Sequence, residues 1–110
     1  MGTLTYNSTL SVDFDDRLLL HLQLVISAKL RRDESFLFSW SKPEPPGGRT
    51  SIWIDKHIPL AFDYVGSAMP TLNRQWIEDM TKAAYQQNGL QIMPEPGATA
   101  PAQSPARRPR

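Results

Sequence analysis

The chain has 110 residues, room for one domain and one hydrophobic core, and carries 12 Lys and Arg against 11 Asp and Glu. It has no cysteine, which excludes a disulfide framework, a Cys-based zinc site and a thiol nucleophile. No apolar run reaches the roughly 18–20 residues of a membrane span, and the start of the chain lacks the basic and apolar regions of a secretion signal. A cytoplasmic protein without a membrane partner is expected.

The charge is unevenly placed. Residues 1–94 hold nine Lys and Arg against ten Asp and Glu, whereas residues 95–110 hold Arg107, Arg108 and Arg110 against Glu95 alone. The basic excess belongs to the tail, and the body lacks the broad basic footprint of most nucleic-acid binders. Residues 94–110 contain no large apolar side chain, so they cannot bury enough surface to offset the entropy of ordering. The expected organisation is one domain over 1–93 followed by a disordered, Pro-rich, basic tail over 94–110.

Thr3–Asn7 and Thr9–Phe14 predict a hairpin turning at Asn7-Ser8, with Leu10, Val12 and Phe14 alternating against Ser11 and Asp13, the period of a half-buried strand. Asp13 or Asp15 is placed to cap a helix from Asp16 to Arg32, whose acidic first turn suits the helix dipole. That helix carries one broad apolar stripe (Leu18, Leu19, Leu22, Val25, Ile26, Leu30) and a second on its far side, Leu20, Leu24 and Ala28. A surface helix ordinarily has one. Either another element of the domain buries this stripe, as around a central helix, or it is an interface, a dimer contact or a partner's docking face; the few residues available to wrap a helix twice favour the interface.

Ser35–Ser41 follows as a strand with Phe36, Phe38 and Trp40 on one face. The stretch 42–49 is too rich in Pro and Gly for regular structure. Thr50–Asp55 and Ile58–Tyr64 complete an antiparallel three-stranded meander, with Pro59 marking the last as an edge strand or one that begins beyond the proline. A second helix is predicted from Leu72 to Gln87, with Trp76, Ile77 and Met80 on its apolar arc and a stop at Asn88-Gly89. Leu90–Met93 adds a short strand. The order β-β-α-β-β-β-α-β predicts an α+β fold, an antiparallel sheet with two helices packed on it.

The polar residues offer little chemistry. Asp13, Asp15, Asp16 and Glu34 have no His or Asn at ligand spacing and lack the Gly and distal Glu of a calcium loop; helix capping accounts for the aspartates, and no metal or cofactor is expected. His21 and His57 are the only histidines, and no nucleophile elbow accompanies them, so no catalytic residue is assigned. Gly47-Gly48 precedes a strand rather than a helix and reads as a loop, not a phosphate cradle. Lys29, Arg31 and Arg32 close the first helix, where they suit the dipole or would contact phosphates. Trp53 alternates away from Ile52 and Ile54, on the less buried face of its strand, where an aromatic can cover a helix, a partner or a base.

The runs VDFDDRLLLHLQLVISAKLRRDESFLFSW, TSIWIDKHIPLAFDYVG and PTLNRQWIEDM resemble a family of small actinobacterial proteins, found also in phages, of unknown function and often labelled ATP-dependent DNA ligase. The resemblance spans about residues 1–95 and implies a nucleic-acid setting. Ligase adenylation needs a lysine in a K-x-D-G context. None of Lys29, Lys42, Lys56 and Lys82 has one, so ligase activity is not expected of this chain.

The resulting expectation is a non-enzymatic binding or adaptor domain. Nucleic acid would be held by Lys29, Arg31, Arg32, Trp53 and the tail residues Arg107, Arg108 and Arg110, and self-association would run through Leu20, Leu24 and Ala28. The alternatives are a protein-interaction module docking through the first helix or a sheet edge, and a small enzyme using His21 or His57.

Overall fold

The computed structural model describes residues 1–67 and 69–97, and all statements of structure concern these. The fold is α+β with the predicted element order: β1 (Gly2–Tyr6), β2 (Leu10–Phe14), α1 (Asp16–Arg31), β3 (Phe36–Ser41), β4 (Arg49–Ile54), β5 (Leu60–Asp63), α2 (Arg74–Ala84) and β6 (Leu90–Gln91). The β1–β2 hairpin turns where Asn7 and Ser8 both adopt positive φ (55° and 61°), and Thr9 N–H donates to the Tyr6 carbonyl. Asn tolerates that left-handed backbone better than most residues. Asp15 caps α1, its carboxylate accepting from the backbone N–H groups of Arg17 and Leu18, two of the four donors a helix start leaves unpaired.

The strands form two three-stranded sheets rather than one, in the orders β2-β1-β5 and β4-β3-β6. The expected meander therefore stops at β4. β5 pairs antiparallel with β1, from Tyr6 opposite Leu60 to Thr3 opposite Asp63. Pro59, with no N–H to offer a ladder, marks the start of β5, which begins beyond the proline, and its carbonyl accepts from Asn7 N–H at the tip of the first hairpin. β6 runs parallel to β3 over only Phe38 and Ser39. Gly89, expected as the stop of the second helix, serves this pairing instead. The helix has already ended at Ala84. Gly89 sits at φ 78° with its Cα against the backbone of Leu37, where a Cβ would overlap the carbonyl, so only glycine lets β6 approach β3.

The inner faces of the sheets and α1 share one core. Leu4, Leu19, Leu22, Phe38, Ile54, Met80 and Leu90 are all fully buried, each worth about 1.5–3 kcal/mol relative to exposure. Phe14 joins the sheets, its ring 5.9 Å from Trp40 in an edge-on contact and 6.2 Å from Phe38. Helix α2 closes the core with Trp76, Met80 and Ala84, the arc its periodicity predicted. The two helices lie side by side in the same direction, since the start of α1 meets the start of α2 (His21 with Asn73) and its end meets the end of α2 (Arg32 with Tyr85).

The second stripe of α1 is divided. Leu20 is buried, Leu24 half-buried and Ala28 exposed. The segment between β5 and α2 covers the first part: Leu20 lines a small hollow with Tyr64, Met69 and Pro70, Tyr64 Oη donates to Gln23 Oε1, and Gly66 N–H donates to Asp16 Oδ2.

Candidate functional site

Two clusters of hydrogen-bonded polar and aromatic residues sit at the two ends of the helix pair. At the first end, Arg17 grips Glu95 with two hydrogen bonds, Nε to Oε1 at 2.9 Å and Nη2 to Oε2 at 2.7 Å, and its third nitrogen donates to the Thr71 carbonyl. Such a two-pronged pair is strong and geometrically specific. Asn73 caps α2 by accepting from Trp76 N–H, and its amide donates to Glu95 Oε2 and to the Pro96 carbonyl. Hydrogen bonds from Arg17 hold the Glu95 carboxyl down at about 2, helped by the Asn73 amide and opposed by burial. Sequence reading assigned residues from 94 onward to the tail, yet Glu95 and Pro96 are tied to the body. An isolated acidic residue in a Pro-rich stretch carries no local sign of a partner 78 positions away.

His21 belongs to the same cluster. It is fully buried, its Nδ1 lies 2.7 Å from the Arg17 carbonyl and its Nε2 accepts from Asn73 N–H at 2.9 Å. A neutral ring protonated at Nδ1 satisfies both contacts, and the ring lies 4.7 Å from that of Trp76. Both nitrogens are occupied, so His21 has no free lone pair for acid–base work. His57 is exposed, with Nδ1 3.4 Å from Asp55 Oδ1.

The other end of the helix pair is more open. Lys29, predicted as a phosphate contact, is buried: its Nζ lies 3.2 Å from Glu34 Oε1 and 3.5 Å from the centroid of the Tyr85 ring, a desolvated cation–π arrangement. Tyr85 Oη donates to Glu34 at 2.9 Å and accepts from Arg32 Nη1 at 3.2 Å. The hydrogen bond from Tyr85 lowers the Glu34 carboxyl, with Lys29 adding to it. Lys29 therefore positions Tyr85 rather than facing solvent. Arg31 and Arg32 are exposed.

Trp53, on the edge strand β4, is 52% exposed, whereas Trp40 and Trp76 are buried. Its backbone carbonyl is held by Tyr6 Oη at 2.8 Å, so the strand is fixed while the indole is free. Trp53, Leu37, Lys29, Tyr85 and Gln86 line one groove of about 380 Å³. The fold thus brings Lys29 and Trp53, two of the predicted contacts, onto one groove with Arg32 beside it through Tyr85, and adds Tyr85, which the expected helix to Gln87 would hold within α2. Arg107, Arg108 and Arg110 lie outside the described residues.

The family model for a domain of unknown function, DUF7882, matches residues 1–95. The chain belongs to this family. The match ends on Glu95, the residue that Arg17 grips, so the family's span coincides with the part whose contacts are described above. Neither a curated protein nor a solved structure matches the chain.

Proposed function

We propose that this DUF7882 domain is a non-enzymatic binding module whose recognition groove lies between Trp53 and Tyr85 and takes single-stranded nucleic acid. The observation that carries the reading is the pairing of two exposed aromatic rings, Trp53 at 52% and Tyr85 at 55%, on one groove whose border holds Arg32. A base stacks on an aromatic face without regard to sequence, worth about 1–3 kcal/mol per base. Arg31, Arg32 and the tail residues Arg107, Arg108 and Arg110 supply the phosphate contacts. Residues 1–97 carry nine Lys and Arg against eleven Asp and Glu, so affinity depends on stacking and on these few arginines, and it falls steeply with salt.

The label of DNA ligase attached to similar proteins suits this setting only loosely. Lys29, the one buried lysine, lies against Glu34 and Tyr85 and has Leu30-Arg31-Arg32 after it. The test is a fluorescence titration of the full chain with oligothymidylate of about 15 nucleotides at low salt. Trp53 is the exposed indole, so stacking quenches the solvent-exposed part of the emission. Trp53→Ala removes the quench, and Arg31→Ala with Arg32→Ala weakens binding and flattens its salt dependence. A chain that neither quenches nor shifts in mobility at low salt overturns the reading.

A further inference from the structure

A second groove shares no lining residue with the first. β2 has one partner, β1, and its other flank is unpaired. All five residues from Leu10 to Phe14 line one cavity of about 690 Å³. Successive strand residues point to opposite faces, so a cavity touching all five runs along the flank of the strand. The opposite wall is the end of β3 with Gln91 and Ile92. β6 covers β3 only at Phe38 and Ser39, so Trp40 and Ser41 also present an unpaired flank to this groove. Phe14 and Trp40 meet edge-on between the walls, and Leu10 and Ile92 are 36% and 37% exposed.

Open sheet edges are usually guarded by Pro, Lys, a bulge or a covering element. β2 has no Pro, Lys or bulge; its one charged residue is Asp13, and the element beside it stands off across the groove. Its sequence is LSVDF and its register with β1 is unbroken from Phe14 to Leu10. The charges in the groove are unbalanced as well. Lys42 and Arg49 line it, and neither joins an ion pair among the described residues. The lining carboxylate, Asp13, accepts from Thr3 Oγ1 at 2.8 Å and keeps its charge, so the lining carries one positive charge in excess.

We propose that this groove takes an extended peptide segment of another protein, one that adds a strand to β2 and sets a carboxylate against Lys42 and Arg49. Main-chain hydrogen bonds to an open edge give affinity, and alternate side chains in pockets give selectivity. Here the alternate apolar residues of the ligand pack on Leu10, Val12 and Ile92, apolar lining residues that are not buried. A second copy of this chain fits less well. Its β2 carries its own β1 on one flank and cannot enter a groove walled on two sides, whereas a lone strand can.

The experiment pans a displayed library of random peptides, about eight residues long to match a strand, against the full chain. The expected binders share an acidic residue within an alternating apolar pattern. Added to isotope-labelled protein, they shift the amides of Leu10–Phe14 and of Trp40 and Ser41. A Lys42→Glu, Arg49→Glu double variant weakens them roughly tenfold, and a peptide with its acidic residue changed to lysine regains binding on that variant, which shows that the variant is folded. The proposal is overturned by a library with no enrichment, by binders indifferent to the charge swap, or by shifts centred on Trp53 and Tyr85. Concentration-dependent line broadening without peptide, centred on β2, makes the edge a self-association surface and likewise overturns it.

Discussion

The two ends of the helix pair are built from the same kinds of group and finish differently. Each sets a cation of α1 against a carboxylate that also bonds a capping residue of α2: Arg17 with Glu95, which Asn73 also holds, at one end, and Lys29 with Glu34, which Tyr85 also holds, at the other. At the first end every strong donor finds an acceptor, and a buried histidine completes the set. At the second the cation is enclosed but the surface above it stays open, with Tyr85 and Trp53 about half exposed. The first is a clamp that spends its polar groups on closing the fold. The second leaves two aromatic side chains, Trp53 and Tyr85, about half in water along one groove.

Breaking the closed end should have the largest effect. His21→Ala leaves a cavity beside Trp76 and strands the Arg17 carbonyl and the Asn73 N–H. We expect a loss of about 3 kcal/mol in urea unfolding. Next comes Glu95→Gln, at about 1–2 kcal/mol near neutral pH once the partial exposure of Arg17 is allowed for. Its pH signature is specific. The Glu95 carboxyl is depressed from an ordinary 4.5 to about 2 on folding, so its contribution is complete above pH 4.5 and fades as pH falls toward 2. The acid unfolding slope in that window should be shallower in Glu95→Gln than in the parent chain.

Changes at the open end sharpen the contrast. Tyr85→Phe removes the hydroxyl shared by Glu34 and Arg32 but keeps the ring beneath Lys29. It should cost about 0.5–1 kcal/mol in thermal or urea unfolding, and the Glu34 carboxyl should titrate closer to its ordinary range, followed by carbon-detected NMR. Trp53→Ala should change stability least, within about 0.5 kcal/mol, while removing the oligothymidylate quench. If Trp53→Ala destabilises the chain as much as His21→Ala, the open end is core and the contrast fails.

Much of the local structure was legible. The cap at Asp15, the turn at Asn7-Ser8, the apolar arc of α2 and the outward placement of Trp53 follow from neighbouring residues or from a period of two or 3.6. The candidate site was legible in part. Trp53 was marked by strand alternation and Arg32 by the basic cluster that closes the first helix, whereas Tyr85 and the burial of Lys29 were not. Lys29 has an ordinary helix-end position, and what encloses it is Tyr85, 56 residues later. Glu95 was misplaced for the same reason, since its anchor Arg17 lies at the opposite end of the domain.

The sequence by itself determined which segments are strands and helices and where most of them start, because capping, turn geometry and side-chain period act between residues a few positions apart. Only the tertiary structure decided that β5 leaves β4 for β1, that β6 runs parallel to β3 past Gly89, and that Glu95 closes one end of the helix pair while Trp53 stays open at the other. Each of these depends on pairing groups that are distant along the chain. Many such pairings satisfy local rules equally well, and the one that buries the shared core while leaving the fewest polar groups unpaired prevails.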